Sequence, residues 1–448
     1  MNPSQRWLTI SRAGFTVSWL LLMSRISLRE VFLDAHPLFS ASVEGSTVTV
    51  GAMWMLPIIT GLTAIAGWRL ARRPHRLRWG RPEVTIPMIA LSLLILMGSR
   101  PIHRPSVLAI SIVSVLLLWG FYIYALQNWP PFWAVAAFTV LALVHGSVGL
   151  AQFVRQGAVG LQLLGEMAVL DPQVRGVSVI EAGGHRWLRA YGLFAHPNTL
   201  GGMMGVSLLI CLGALLQEPR WPRWLGAAVV ASGVGLFLSF SRSAWLGTGL
   251  GLFYLASVTR VWRRIAWRDI RVRRVGVGGL LLLVLVSVIF GGLIRARLWG
   301  SDSILERNSV HERLRDLGQA WMLIRQQPLT GVGAGYYKDA LWAWADATGQ
   351  DFPAFQRVHN VPLLLAAEIG VVGAVLWLWL MLAPPLGLLK QVRAGPVQPL
   401  RAGWTATFVF LFAVGLFDCI PHVLTFRSVA LLGTLWAGWA TVRGDLET

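Results

Sequence analysis

Apolar residues occur along this chain in long, uninterrupted runs. Val107–Leu126 and Val361–Leu382 are each near the roughly 20 residues that a helix needs to cross a bilayer. A membrane β-barrel would instead show segments of about 10 residues in which apolar and polar positions alternate. Because the backbone must satisfy its own hydrogen bonds inside lipid, the long runs predict transmembrane helices.

We therefore predict an all-α, polytopic membrane protein with about twelve transmembrane helices. The predicted spans are 10–27, 47–68, 84–99, 107–126, 132–152, 192–216, 224–240, 243–259, 275–293, 360–383, 403–420 and 425–442. They form one transmembrane domain, residues 1–448, with a large loop at 294–359 between the ninth and tenth spans.

Composition supports a membrane protein. Of the 448 residues, 55% are hydrophobic and only 13% are charged, whereas soluble domains carry about 25% charged residues. The net charge of +19 would by itself suggest nucleic-acid binding. Since the basic residues lie in short loops between the predicted spans, they are better explained as orientation signals. Membrane lipids are expected as partners, and nucleic acid is not.

The basic loops predict the orientation of the bundle in the membrane. Thr259–Val275 is the most arginine-rich loop, and Arg69–Arg81 is the next. Both should face the cytoplasm, and the even number of predicted spans between them makes the two assignments agree. The same count places both termini in the cytoplasm and the loop 294–359 on the extracytoplasmic side.

Two outer loops are expected to carry structure of their own. Within the large loop, Ser309–Gln327 has apolar residues at helical spacing, with Ser309 and Glu312 as a capping box. The segment PLTGVGAGYY then predicts a glycine-rich turn. The second loop, Phe153–Arg189, is weakly apolar and is expected to lie along the membrane surface.

A first candidate motif is RAYGLFAHPN, which begins at Arg189 and stands before a predicted span. Pro197 fits the first turn of a helix, and His196 or Asn198 could cap that helix. The alternative is a plain helix start with an arginine that reaches toward the interface.

A second motif, SFSRS, joins two predicted spans with almost no loop and contains Arg242. An arginine in such a position either binds an anion, for which its guanidinium and the adjacent helix N-terminus are suited, or contacts lipid headgroups.

Two histidine motifs fall at the same predicted face. His359 and Asn360 stand where the large loop enters a span, and His359 is either a general base or a structural histidine. In FDCIPH, Asp418 and His422 could pair, orient another group, or serve as a cap and a turn.

These residue types favour chemistry on a phosphate-containing substrate. The sequence has no HExxH motif, no Walker motif and no acidic DxD-type cluster in an outer loop, so neither a metal nor a nucleotide cofactor is expected. Arginines could hold a lipid-linked diphosphate leaving group while a histidine takes a proton from an incoming hydroxyl.

Two other classes of protein remain open at this point. A membrane transporter or flippase of anionic or polyprenyl-linked substrates would place its charges near the membrane midplane and show internal repeats. A polymerase of the shape, elongation and division class would be expected to use an outer-loop aspartate.

The order of the motifs points to a family. RAYGLFAHPNTLGG, SFSRSAWLG, PLTGVGAGYY and HNVPLLLAAEIGVVG resemble the O-antigen ligase / O-antigen polymerase superfamily over a core of about 185–383. The resemblance implies a GT-C-like glycosyltransferase of the inner (cytoplasmic) membrane with an extracytoplasmic active face. It would move a glycan from an undecaprenyl-diphosphate carrier to a lipid, glycan or protein acceptor, without a metal or other cofactor.

The resemblance also implies roles for individual residues. Arg189 and Arg242 match the arginines that bind the diphosphate, and His359 matches the acceptor-activating histidine. Because Arg186 is only three residues from Arg189, the resemblance leaves open which of the two matches the family's arginine. HERLRDLGQAW resembles the loop helix of the family and makes Arg313 a further candidate. The other accessory candidates are His196, Asn198, Asn360, Asp418 and His422.

Overall fold

The computed structural model describes residues 3–24, 78–99, 105–217, 222–260, 288–298, 304–349, 357–393, 395, 397–422 and 425–441. In this part of the chain the protein is a bundle of helices with one short hairpin. The helices are α1 (Pro3–Met23), α2 (Pro82–Gly98), α3 (Pro105–Asn128), α4 (Pro131–Arg155), α5 (Pro197–Gln217), α6 (Arg223–Leu238), α7 (Arg242–Thr259), α8 (Ile304–Gln326), α9 (Tyr337–Thr348), α10 (Val361–Val392), α11 (Pro399–Gly415) and α12 (Phe426–Thr441). Residues 288–298 are also helical.

Four of the described helices are long and apolar enough to cross a membrane: Val107–Asn128 within α3, and α4, α5 and α10. Three shorter apolar helices, α2, α6 and α11, accompany them. The predicted all-α membrane architecture is confirmed to this extent. The total of about twelve spans stays a prediction, because span 47–68 and most of span 275–293 lie outside the described residues.

The centre of the bundle depends on close contact between α5 and α11. A Cβ on Gly213 would lie 2.7 Å from the carbonyl oxygen of Pro399, and one on Gly403 would lie 2.4 Å from that of Leu209. Small residues let helix backbones approach closely where lipid gives no hydrophobic driving force between them. Helices α7 and α6 pack against the same pair, α7 mainly on α11 and α6 on α5.

The loop between α4 and α5 contains a hairpin that its sequence did not predict. Strands β1 (Val179–Ala182) and β2 (His185–Leu188) pair antiparallel, with Val179 opposite Leu188. Both residues of the connecting Gly-Gly turn have positive φ angles, 60° and 76°. Such a two-residue turn matches the twist of a hairpin.

Helix α10 is broken near its first third. Ile369 and Gly370 leave helical geometry, and Gly370 has φ 81° and ψ 169°, which only glycine adopts readily. The glycine-rich turn fills the break, as the N–H of Val332 donates to Ala367 O (2.8 Å) and that of Gly333 donates to Glu368 O (2.9 Å). The predicted turn in PLTGVGAGYY is confirmed, and its position inside a broken helix is new.

Helix α8 corrects one sequence prediction. The expected helix at Ser309–Gln327 exists, but it begins at Ile304, five residues earlier. Ser309 therefore lies inside the helix, and the predicted capping box with Glu312 is wrong. The residue pattern of a capping box identified a helix here but not where that helix starts.

Gly370→Ala should destabilise the protein strongly. The new Cβ would lie 2.0 Å from the carbonyl oxygen of Leu329 and would force an unfavourable backbone geometry. We expect the free energy of unfolding to fall by about 3 kcal/mol or more. The thermal unfolding midpoint of the detergent-solubilised protein measures the effect.

Gly176→Ala is the matched control. Gly176 also has a positive φ, 88°, but a Cβ there would meet nothing within 4 Å in the described structure. Only the backbone penalty of about 1–2 kcal/mol should remain. Equal losses of stability for the two variants would show that the contact between the turn and α10 contributes little.

Candidate functional site

A buried glutamine fixes the segment that begins at Arg189. Gln152, on α4, accepts hydrogen bonds from the N–H groups of Tyr191 (3.1 Å) and Gly192 (2.8 Å) and donates to Gly192 O (2.9 Å). Its amide also donates to Glu166 Oε1 (2.9 Å). Burial acts to raise the pKa of Glu166, but the hydrogen bonds from Gln152 and from backbone amides lower it overall. Gln152 thus fixes the backbone after Arg189 through both its N–H groups and a carbonyl.

The guanidinium group of Arg189 joins three of the sequence motifs. Arg189 is only 5% exposed. Its Nε donates to Ser239 O (2.8 Å), and its Nη2 donates to Asn198 Oδ1 (2.6 Å). The amide of Asn198 in turn donates to Asp418 Oδ2 (2.7 Å). The Asn198 amide therefore bridges the buried Asp418 carboxylate and the buried Arg189 guanidinium. A buried charge needs such hydrogen-bonded partners.

The turn at Ser239–Arg242 gathers further arginines. Phe240 has a φ of +46°, which is uncommon for a residue other than glycine, and its carbonyl accepts from Arg297 Nε (2.9 Å). Arg242 Nη1 donates back to Arg297 O, at 3.5 Å. Carbonyls of this one turn thus bind Arg189 and Arg297, while Arg242 begins α7 beside them.

Arg297 was missed by the sequence analysis, although its side chain is buried in the structure. It lies in the helical residues 288–298, beyond the predicted end of span 275–293. The only available signal was an arginine at the predicted extracytoplasmic end of an apolar segment. That signal is common to many membrane helices and does not single out one residue.

His196 lies close enough to the arginines and to His359 for their charges to act on it. Its Nδ1 accepts the N–H of Asn198 (3.1 Å), as expected of a cap, and its Nε2 lies 3.2 Å from Ser178 Oγ. The ring is accessible at the surface, but surrounding protein displaces much of the bulk water. This desolvation lowers the pKa of His196 to about 3, and the charges of Arg189, His359 and Arg297 contribute to the same shift.

His359 stands where α10 begins, beside the end of α11. Asn360 caps α10 by accepting the N–H of Leu363 (2.9 Å), and its amide donates to Leu416 O (3.1 Å). The His359 side chain is 29% exposed, and its Nδ1 lies 3.6 Å from Asp316 Oδ2. Since Leu416 precedes Asp418 by two residues, the histidine motif lies at the same end of the bundle as the arginines.

Glu368 and His422 form a separate, fully buried pair. His422 Nε2 lies 3.1 Å from Glu368 Oε2, and the side chains are 1% and 0% exposed. Asp418 and His422 therefore have different partners and do not pair with each other. Nearby, burial raises the pKa of Tyr337, and the charges of Asp316 and Glu368 raise it further. This pair lies next to the break in α10 and fixes it against the FDCIPH segment.

Two accessory candidates have other surroundings. Arg186 lies on β2, where its Nε is 3.7 Å from Glu181 Oε1 and its Nη1 donates to Gln173 O (3.1 Å). It contributes to the hairpin, whereas Arg189 reaches the turn at Ser239. Arg313 is half-buried on α8, three residues before Asp316.

Taken together, the described residues bring cationic donors and a histidine to one end of the bundle. The positive end of the α7 dipole lies at Arg242 and adds to the arginine charges, and Ser241, the N-cap residue, makes no side-chain capping hydrogen bond to the first N–H groups of the helix. Such an arrangement can bind a phosphate-containing anion beside a proton acceptor. No group of three or more His, Cys, Asp or Glu side chains that could hold a metal occurs among the described residues.

Glu368→Ala should destabilise the protein by about 3 kcal/mol, because it leaves His422 buried without its partner. Glu368→Gln retains a hydrogen-bonding group and should cost less. Glu83→Ala is the control, since Glu83 forms an exposed ion pair with Arg81 at 3.9 Å and should cost less than about 1 kcal/mol. Thermal unfolding in detergent measures all three; an Ala variant no less stable than the Glu83 control would contradict the role of the pair.

Comparison with known proteins identifies a family for part of this chain. No curated protein matches the chain. The family model described as O-antigen ligase matches residues 227–378, which run from α6 into α10 and include Arg242, Arg297 and His359. The family and the apolar helices support a membrane glycosyltransferase in general. The resemblance predicted from the motifs is thus confirmed over residues 227–378, where the chain matches the O-antigen ligase family model.

Proposed function

We propose that this protein transfers a glycan from an undecaprenyl-diphosphate carrier to an acceptor hydroxyl. The observation that carries the proposal is the convergence of Arg189, Arg242 and Arg297 on one turn, at the end of the bundle that also holds His359. Arginines bind the diphosphate of the donor, and His359 activates the acceptor.

The arginines suit a leaving group in which negative charge develops. When the bond between the sugar and the diphosphate breaks, an additional charge appears on the diphosphate oxygens. Guanidinium groups already held by backbone carbonyls need little reorganisation to stabilise that charge, which is the condition for effective electrostatic catalysis. The side chains of Arg189 and Arg297 are held in this way by Ser239 O and Phe240 O.

His359 suits the removal of a proton from the acceptor. Its ring is partly exposed and therefore open to an incoming hydroxyl, whereas His196 is committed to its contacts with Asn198 and Ser178. A histidine in this position supplies general base catalysis, which typically contributes about 10²–10⁴-fold in rate. The proposal assigns this role to His359 alone.

A location in the inner membrane follows from the same proposal. Both termini would face the cytoplasm, and the site would lie on the extracytoplasmic side, where the donor's glycan is presented. The acceptor is a lipid, a glycan or a protein. The clustering of charges at one end of the bundle favours transfer over the alternative of a transporter, which would place them near the membrane midplane.

His359→Gln should reduce glycan transfer by about 10²-fold or more, because glutamine cannot accept the proton. Transfer is measured with purified protein, an undecaprenyl-diphosphate-linked glycan, and three acceptors in turn: lipid A-core, a second lipid-linked glycan, and a serine-containing protein. His185→Gln, at the exposed hairpin turn, is the control and should retain wild-type turnover. Wild-type turnover by the His359 variant would refute the proposal, as would no transfer by the wild-type protein to any acceptor.

Arg189→Lys should also lower transfer by at least about tenfold, because one ammonium group cannot reproduce the directional guanidinium contacts to Ser239 O and Asn198 Oδ1. Arg186→Lys should have little effect, since a lysine at this position would still reach Glu181 on the hairpin. Donor turnover of both variants, normalised to folded protein, is the measurement. The opposite ranking would mean that Arg186 is the arginine that acts on the donor.

A further inference from the structure

Asp316 places a carboxylate on the buried, largely apolar face of α8. Asp316 is 2% exposed and shares the packed face of α8 with Ala320 and Leu323, which are 0% and 1% exposed. Aspartate is almost never fully buried unless it is paired. The buried position therefore needs a partner, and the geometry around Asp316 identifies it.

The partner across the helix interface is His359. Asp316 Oδ2 lies 3.6 Å from His359 Nδ1, and Asp316 Oδ1 lies 3.8 Å from Arg315 Nη2. Arg315 is the preceding residue on the same helix, and neighbouring residues on a helix do not face each other. His359 approaches from a different element, at the start of α10. The contact therefore joins the loop helix to the proposed catalytic residue.

Both groups are incompletely satisfied. Asp316 Oδ1 and His359 Nδ1 are buried atoms without a hydrogen-bond partner in the described part of the chain. A separation of 3.6 Å between Nδ1 and Oδ2 is slightly too long for a hydrogen bond. Such contacts are often long without substrate and shorten when substrate binds. A movement of less than about 1 Å would give Nδ1 a charged acceptor.

We propose that Asp316 is the positioning residue for His359. This inference rests on the proposed function. By accepting the Nδ1–H, the carboxylate fixes the tautomer in which Nε2 carries the lone pair and faces the acceptor hydroxyl, as in other histidine bases oriented by a carboxylate. Asp316 itself touches neither donor nor acceptor.

The proton and electron pairs then balance within the transfer step. The acceptor oxygen forms a bond to the anomeric carbon while its proton passes to His359 Nε2. The bond from that carbon to the diphosphate oxygen breaks, and its electron pair leaves with the diphosphate. His359 becomes an imidazolium, which the Asp316 carboxylate stabilises through Nδ1–H, and no oxidant, metal or other co-reactant is needed.

Asp316→Asn should lower kcat for transfer by about 10²-fold or more, because an amide can hold Nδ1 in the wrong tautomer. The apparent KM for the undecaprenyl-diphosphate-linked glycan should change by less than about threefold, since the arginines bind the donor. Asp316→Glu should recover part of the rate. Asp346→Asn, an exposed aspartate on α9, is the matched control and should retain wild-type kcat.

A double-mutant cycle separates positioning from a structural role. In the His359→Gln background, Asp316→Asn should cause no further loss of kcat, because the group that it positions is absent. Independent losses that multiply would overturn the proposal. So would wild-type kcat per folded molecule for Asp316→Asn, with folded protein quantified by size-exclusion chromatography. If either result were found while His359→Gln is inactive, only the role of Asp316 would be refuted and the proposed function would stand. If His359→Gln were itself active, the proposed function would be refuted.

Discussion

The site depends on the backbone carbonyls of one tight turn between α6 and α7. Ser239 O and Phe240 O accept the Nε–H groups of Arg189 and Arg297, which come from segments on either side of the turn in sequence. A buried guanidinium is costly unless its donors are satisfied, so these two bonds constrain where both segments can lie. The positive φ of Phe240 is part of the same constraint, because it sets the direction of the carbonyl that binds Arg297.

The other parts of the site are built outward from this turn. Asn198 relays the charge of Asp418 to Arg189 and so ties α5 to the end of α11. Asn360 ties the start of α10 to that same end, which brings His359 beside the network. The break in α10 then accepts the glycine-rich turn, and this turn connects α8, with Asp316, to α9. The arginines, His359 and Asp316 thus come from separate helical elements that polar contacts hold at one end of the bundle.

Much of the fold was readable from the sequence, because apolar runs bounded by proline are strong helix signals. The predicted spans 132–152, 224–240 and 243–259 agree closely with α4, α6 and α7. The hairpin was missed because its few residues are too short for a periodic pattern. The break in α10 was missed since Gly370 sits in an apolar run where glycine is common.

The site was partly readable for a different reason. Motif order singled out Arg189, Arg242 and His359, and the count of predicted spans placed all three on the same side of the membrane. Arg297 and Asp316 could not be found in this way, because their importance comes from what lies opposite them in space. Asp316 is one of several charges on its helix, and only burial and the contact with His359 distinguish it.

Donor binding by purified variants tests the division of labour between arginines and histidine most directly. The measurement is the Kd for an undecaprenyl-diphosphate-linked glycan, compared between His359→Gln and Arg242→Lys. If arginines bind the diphosphate and the histidine acts only on the acceptor, His359→Gln should keep wild-type affinity while Arg242→Lys loses at least about tenfold, or about 1.4 kcal/mol. Equal affinities in the two variants, or a loss confined to His359→Gln, would contradict this account.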